Sequence, residues 1–269
     1  MLRRARGMPL IARPARLATH PVVAGCEAWA AEGPPGGVGV LLLHGFTGNP
    51  ASLRPLAQDL AGRGFAIELP RLPGHGTSWR DLQHRTGQEW TGAAADGLQR
   101  LRRHTRAQVA VGLSMGAMLA LQLARDEGRD LAGIVLVNPW IRTTDWRLPL
   151  LLSIRRLVRS IPGVGNDIAR PGADELPYAR VPLQALASQQ RLQAQVRAGL
   201  QDVHVPTLLL TSRVDHVIEP DNADLIRAGI SSTDVGQVWL ERSYHVATLD
   251  HDADLIAERV AAFTARVTA

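Results

Sequence analysis

The chain contains no lysine; all 30 of its basic residues are arginine. It has a single cysteine, Cys26, which excludes a disulfide framework and any cysteine-built metal cluster. Long apolar runs are missing too. Val40–Leu43 and Leu148–Leu152 fall far short of the roughly 18 residues that a membrane span requires. No signal-peptide hydrophobic region is expected, because Arg13 and Arg16 interrupt the one apolar patch near the start. A reduced, cytoplasmic setting is therefore the default expectation. Acidic charge is absent from residues 1–20, which carry Arg3, Arg4, Arg6, Arg13 and Arg16. That segment is expected to be a flexible basic tail. It accounts for the whole formal net charge of +5, so the remaining arginines balance the 25 acids. A neutral body offers little footprint for a phosphate backbone, and nucleic-acid binding is not expected.

What is present is an ordinary globular composition, with 45% hydrophobic and 20% charged residues in 269. The patterning alternates. Val38–Leu43 is a short uninterrupted apolar run, as a strand buried on both faces requires. Asn49 and Pro50 read as N-cap and first residue of a helix whose Leu53, Leu56, Ala57 and Leu60 recur at helical spacing. Phe65–Leu69 reads as the next strand. Thr86 and Glu89 form a capping box opening a helix to about residue 103. Strands follow at Gln108–Gly112, Gly133–Val137, Thr207–Thr211 and Val235–Leu240, with helices at Ala117–Arg125, 221–229 and 252–265. Strand–helix alternation implies an α/β fold, with a mostly parallel sheet covered on both faces. Residues 140–203 break the rhythm with five prolines and short helical patterns between them. They read as a small helical cap inserted between core segments 21–139 and 204–269.

Gly112-Leu113-Ser114-Met115-Gly116 matches G-x-S-x-G between an expected strand and an expected helix. This is the context of a nucleophile elbow, whose sharp turn lifts the serine above the sheet. A hydroxyl needs a base, and the base an orienting acid, in the chain order Ser, Asp or Glu, His. Asp215 and His245 both lie just past expected strands, at the end where an open α/β sheet places its ligands. Asp202 lies at the wrong end of its strand. Asp221 and Asp224 read as first-turn helix residues, and His251 as an early helix residue. His216 satisfies the required order and is the rival to His245. It is disfavoured because neighbours on a short loop rarely point at one another. An acyl-transfer site also needs two backbone donors for the developing oxyanion. Phe46, in His44-Gly-Phe-Thr-Gly48, and Met115 supply the natural pair. His44 reads as a hydrogen-bonded structural residue, and no metal or other cofactor is expected.

Leu41-Leu-Leu-His-Gly-Phe-Thr-Gly-Asn49, Leu72-Pro-Gly-His-Gly76, Gly112-Leu-Ser-Met-Gly116 and Ser243-Tyr-His-Val-Ala-Thr-Leu-Asp250 resemble the α/β-hydrolase fold. More narrowly, they resemble bacterial carboxylesterases and monoacylglycerol lipases, over about residues 38–265. The resemblance implies Ser114 as nucleophile, Asp215 as acid, His245 as base, and the Phe46 and Met115 backbones as oxyanion hole. Two positions depart from the family pattern. Tyr244 stands where a glycine often precedes the histidine, as a residue that could narrow the site or bond a substrate oxygen. Met115 replaces the usual leucine or glutamine. His75, in the Gly-His-Gly loop, is assigned no chemistry.

The expected activity is hydrolysis of carboxylic esters of lipophilic acyl groups through an acyl-enzyme. Thioesterase, amidase and C–C bond hydrolase activities remain open on the same fold, as does a non-catalytic ligand-binding role. Within residues 141–170, six arginines (142, 147, 155, 156, 159 and 170) face two acids, Asp145 and Asp167. The bland reading is a solvated basic face. The sharper one is attraction to an anionic membrane surface, as a weak contact, or to carboxylate-bearing substrates.

Overall fold

The computed structural model describes residues 20–269, so the basic tail expected over residues 1–20 lies outside the described residues but for His20. The strands are β1 Trp29–Ala31, β2 Val38–Leu43, β3 Ala66–Leu69, β4 Ala107–Leu113, β5 Gly133–Val137, β6 Ser160–Pro162, β7 Arg180–Pro182, β8 Thr207–Ser212 and β9 Val235–Leu240. The helices are α1 Arg54–Gly62, α2 Trp79–Leu82, α3 Gly87–Arg102, α4 Met115–Glu127, α5 Leu148–Ser153, α6 Leu183–Ala198, α7 Asp221–Gly229 and α8 Ala253–Val267. Seven strands form one sheet in the order β1-β3-β2-β4-β5-β8-β9. Only β1 runs antiparallel, against β3. At three residues it is too short to carry an alternation pattern, and the sequence did not reveal it.

Successive residues of the central strands go to opposite faces. Val40, Leu42, Val109 and Val111 pack beneath α1 and α8. Leu41, Leu43, Ala110 and Leu136 pack beneath α3, α4 and α7. Each fully buried leucine or valine of this kind contributes about 1.5–3 kcal/mol from water exclusion. The register then sets the site. Leu43 lies opposite Gly112, Leu113 opposite Val137, and Ser212 opposite Leu240. The residues that follow each strand therefore emerge together along one carboxyl edge.

Local signals hold with small adjustments. Thr86 and Glu89 close the expected capping box on α3. Asn49 is an N-cap, its side chain accepting from Ala51, but it heads a 3-10 turn at Pro50–Ser52 rather than α1 itself. His251 lies in the turn before α8 rather than within the helix. Between β5 and β8 the chain leaves the sheet. It forms α5 and the antiparallel pair β6–β7, and then the 16-residue α6, longer than the expected short patterns. No proline falls between Pro182 and Pro206, so the helix can run. Its buried face includes Ser188, Gln189 and Gln193, which blurs the apolar period. Ala185, Leu192 and Val196 of α6 join the same buried cluster as α3 and α4. No helix among the described residues is long and apolar enough to cross a membrane.

Backbone contact between α4 and the strand ends is the tightest feature of the fold. A Cβ on Gly116 would lie 1.9 Å from the Leu43 carbonyl oxygen, and one on Gly112 would lie 2.2 Å from the Gly116 backbone. Gly116→Ala is expected to destabilise by on the order of 3 kcal/mol or more, since backbone must move. Gly92, inside α3 with nothing within 4 Å, is the opposite case. Gly92→Ala is expected to stabilise by about 0.5–1 kcal/mol. Urea unfolding of the two variants checks both signs.

Candidate active site

Ser114 occupies the turn between β4 and α4 with φ 57° and ψ −115°. A non-glycine residue held there stores about 1–3 kcal/mol, and the surroundings must over-determine it. They do so by hydrogen bonds: Ser114 N–H donates to Val137 O at 2.9 Å, and Ser114 O accepts from Ala117 at 3.1 Å and Trp140 at 3.3 Å. Met115 is the first residue of α4, and its N–H is one of those a helix leaves without an internal partner. Gly45 lies against the serine; a Cβ there would be 3.8 Å from Ser114 Oγ. The following residues, Phe46 and Thr47, line the same cavity as Ser114.

His245 and Asp215 meet across two different loops, with His245 Nδ1 2.7 Å from Asp215 Oδ2. A carboxylate only accepts, so Nδ1 carries the proton and Nε2 is left with a lone pair. The second oxygen, Asp215 Oδ1, accepts from Val217 N–H at 2.9 Å and Ile218 N–H at 2.8 Å, which fixes the carboxylate's orientation. The loop that carries His245 is anchored residue by residue. Ser243 Oγ donates to Asp252 Oδ2 at 2.8 Å, Thr248 Oγ1 to Ser52 O at 2.6 Å, and Tyr244 N–H to Asp250 Oδ2 at 2.9 Å. Asn138, with φ 42°, ties both loops from below. Its amide donates to His245 O at 2.8 Å and Ser212 Oγ at 2.9 Å, and its oxygen accepts from Ser212 N–H at 2.8 Å.

Ser114 and His245 open on one cavity of about 310 Å³. Leu148, Leu151, Ile161, Val181 and Leu186 give it an apolar wall, largely from the segment between β5 and β8. Asp145, Asp167 and Glu175 add carboxylates, and no arginine is among its lining residues. Among the described residues no group of three His, Cys, Asp or Glu side chains gathers to hold a metal.

A family model described as serine aminopeptidase, S33, matches residues 37–252. The chain belongs to this family. It is 40% identical over 251 residues to a thermostable monoacylglycerol lipase of Bacillus sp. (strain H-257), covering 92% of this chain and 97% of that protein. It is 31% identical over 227 residues to a carboxylesterase of Bacillus subtilis (strain 168), covering 83% and 91%. A solved structure from work on LipS and LipT, two metagenome-derived lipolytic enzymes, superposes with a TM-score of 0.88 at 37% identity, covering 91% of this chain and all of that one. The protein is thus a serine ester hydrolase with the α/β-hydrolase fold.

The rival residues of this hydrolase are placed elsewhere. His216 turns its ring to Asp167, at 2.8 Å, and is more than half exposed. Asp221 heads α7 and pairs with Arg142; Asp224 pairs with Arg227. Asp202 stands in the turn before β8. Tyr244 packs edge-on against His216, with centroids 4.6 Å apart, and is not among the cavity-lining residues. Its extra bulk is spent on the neighbouring loop, so it neither narrows the cavity nor reaches into it. Sequence reasoning missed Asn138, Asp167 and Glu175. Asn138 carried one readable signal, its place at the carboxyl end of a strand. The other two lie in the insertion without a local pattern.

Burial and charge tune the histidines in opposite directions. His44 donates from Nδ1 to Gly45 O at 3.0 Å and accepts Leu72 N–H on Nε2 at 3.1 Å. Burial lowers its pKa to about 4, so it stays neutral. His75 packs edge-on against His44 and Phe46, and burial holds it well below the ordinary imidazole range. For His245 burial again pushes down, but the charge and hydrogen bond of Asp215, then Glu175 and Asp167, outweigh it and the net shift is upward. An NMR titration of the imidazole ring protons is expected to find His44 protonating near pH 4 and His245 above the unperturbed value of about 6.5. His44→Asn and His245→Gln would assign the two signals.

Proposed function

We propose that this hydrolase cleaves monoacylglycerols and other carboxylic esters of lipophilic acyl groups, using Ser114 as nucleophile, His245 as base and Asp215 as orienting acid. The observation that carries the reading is that a serine in a strained elbow and a histidine already paired to a buried carboxylate open on one apolar-walled cavity. In this mechanism His245 Nε2 takes the Ser114 proton as Oγ attacks the ester carbonyl. The Phe46 and Met115 N–H groups hold the oxyanion of the tetrahedral intermediate, an effect worth about 3–4 kcal/mol per donor where such donors have been removed. The imidazolium, held by Asp215, then protonates the departing alcohol. Water attacks the acyl-enzyme by the same route in reverse, releasing the acid. Residues 140–203 act as the cap, and their apolar wall receives the acyl chain.

Cytoplasmic residence is part of the same reading, resting on a lone cysteine that is buried and unpaired. So is weak contact with an anionic membrane surface. Trp146, Leu150 and Leu157 project outward at 83%, 67% and 86% exposure, among the arginines of the insertion. Tryptophan and leucine beside arginine suit the boundary between headgroups and acyl chains.

A fluorophosphonate is expected to label the protein once, on Ser114. Ser114→Ala should lower kcat by roughly 10⁴-fold or more while the unfolding midpoint stays close to wild type. Adduct on another serine would overturn the assignment. Across p-nitrophenyl esters of increasing length, kcat/KM should rise by up to about fourfold per methylene, the equivalent of about 0.8 kcal/mol, until the cavity is full.

The surface contact makes a separate prediction. Cosedimentation with anionic vesicles should weaken as salt rises, because exposed charges are screened beyond about 10 Å at 0.1 M. Neutral vesicles should bind less, and Trp146→Ser should reduce binding to both. Equal binding to anionic and neutral vesicles at all salt concentrations would leave the arginines a solvated face.

A further inference from the structure

The acid and base of the proposed triad stand on loops that follow different strands, β8 and β9, and something must hold those loops in register. Asn138 does so from the sheet side. On the other side the bridge comes from Asp167, in the insertion. Its Oδ2 accepts the backbone N–H of His216 and that of His245, each at 3.1 Å. Its Oδ1 meets His216 Nδ1 at 2.8 Å, and its main-chain oxygen accepts Val246 N–H at 3.1 Å. One residue therefore grips the amide next to Asp215, the amide of His245 itself, and the amide after it.

The lacing runs both ways. Asp250, on the base loop, accepts from Ala169 N–H at 2.7 Å and Arg170 N–H at 2.9 Å, just beyond Asp167. Asp250 is 1% exposed, and the Asp167 side chain 11%. The same short stretch of the insertion also builds the cavity, through Val164, Gly165 and Asp167.

The geometry points to Asp167, supported by His216, as the positioning residue through which the insertion sets the orientation of His245 toward Asp215 and Ser114. This gives His216 a place: its ring is turned away from the serine and holds the carboxylate that holds the base. It also means that the wall the acyl chain touches and the histidine that takes the proton are parts of one hydrogen-bonded unit. Asp167 adds its negative charge to those of Asp215 and Glu175, which face the His245 imidazole and favour its protonated form.

The inference rests on the triad proposed above, and the test separates the two. Steady-state kinetics on a p-nitrophenyl ester would be measured for the full chain carrying Asp167→Asn, Asp167→Ala, His216→Ala or His245→Ala. For every variant but the last, rates would be normalised to serine titrated by a fluorophosphonate. Asp167→Asn keeps shape and one acceptor oxygen, so it is the variant least prone to unfold. It is expected to lower kcat per titrated serine by about 10- to 100-fold, the scale of a small misplacement of a catalytic group. KM should stay within about twofold, because the asparagine keeps the shape of this part of the cavity wall. The acid limb of kcat/KM should move to lower pH, as a charge favouring the imidazolium is gone. Asp167→Ala should be worse than Asp167→Asn, and His216→Ala milder than either. Wild-type kcat per titrated serine in Asp167→Asn and Asp167→Ala, even with lowered thermal stability, would make Asp167 a fold residue only and overturn the inference. A raised KM at unchanged kcat would overturn it too, by making Asp167 a wall of the cavity and nothing more. If His245→Ala itself retained turnover, the triad would fail, and with it everything built on it.

Discussion

The close approach of Gly116 to the Leu43 carbonyl is the constraint on which the site depends. No side chain fits between them, so α4 can start directly against the ends of β2 and β4. That placement forces the chain to reverse within one residue, and Ser114 takes the positive φ that results. The same contact brings the loop after β2 beside the serine, so that Gly45 touches it and Phe46 faces the cavity. A strained serine, a helix N-terminal amide beside it and a second loop against it are thus consequences of a single packing choice. Burial supplies the stabilisation: ten of the helix's residues are inaccessible to solvent, which offsets the local strain.

Charge is distributed by the same geometry. No arginine of the insertion lines the cavity, while Asp145, Asp167 and Glu175 do. Burial raises the pKa of Glu175, and its Oε1 accepts Asn166 N–H at 3.1 Å. Near the oxyanion loop the opposite holds: His44 and His75 are buried without a carboxylate partner and stay neutral. Of these three histidines only His245 faces acids, and only its pKa is shifted upward.

The insertion is stitched to the core at both ends of the site. Asn49 Nδ2 donates to Glu175 O at 2.8 Å and Leu176 O at 2.9 Å, and Tyr178 N–H donates to Thr47 O at 3.1 Å. Tyr178 OH donates to Gly74 O at 2.8 Å and accepts Thr77 N–H at 2.7 Å, which gives the Gly-His-Gly loop a structural purpose. Asp167 and Asp250 make the corresponding stitches beside His245. The cavity wall is consequently tied to both the oxyanion loop and the base loop.

Much of this was legible before any coordinates. The uninterrupted apolar run Val38–Leu43, the Thr86–Glu89 capping box and the glycines flanking Ser114 act over a few residues, and short-range patterns of this kind survive in a linear sequence. Chain order and strand ends brought Asp215 and His245 forward as a pair, with His216 as rival, and the structure sets that pair 2.7 Å apart because an open parallel sheet puts every such end on one edge. The three-residue β1 and the glutamine-bearing face of α6 were not legible, since neither carries an apolar period. The tertiary structure alone decided that His216 turns to Asp167 and that Tyr244 packs against His216. It alone placed Asn138 under two loops and gathered carboxylates inside a segment whose net charge is positive. Those contacts join residues 28 to 107 positions apart, as in Tyr244–His216 and Asn138–His245. No local spacing encodes them, because they exist only once the sheet has brought its loops together.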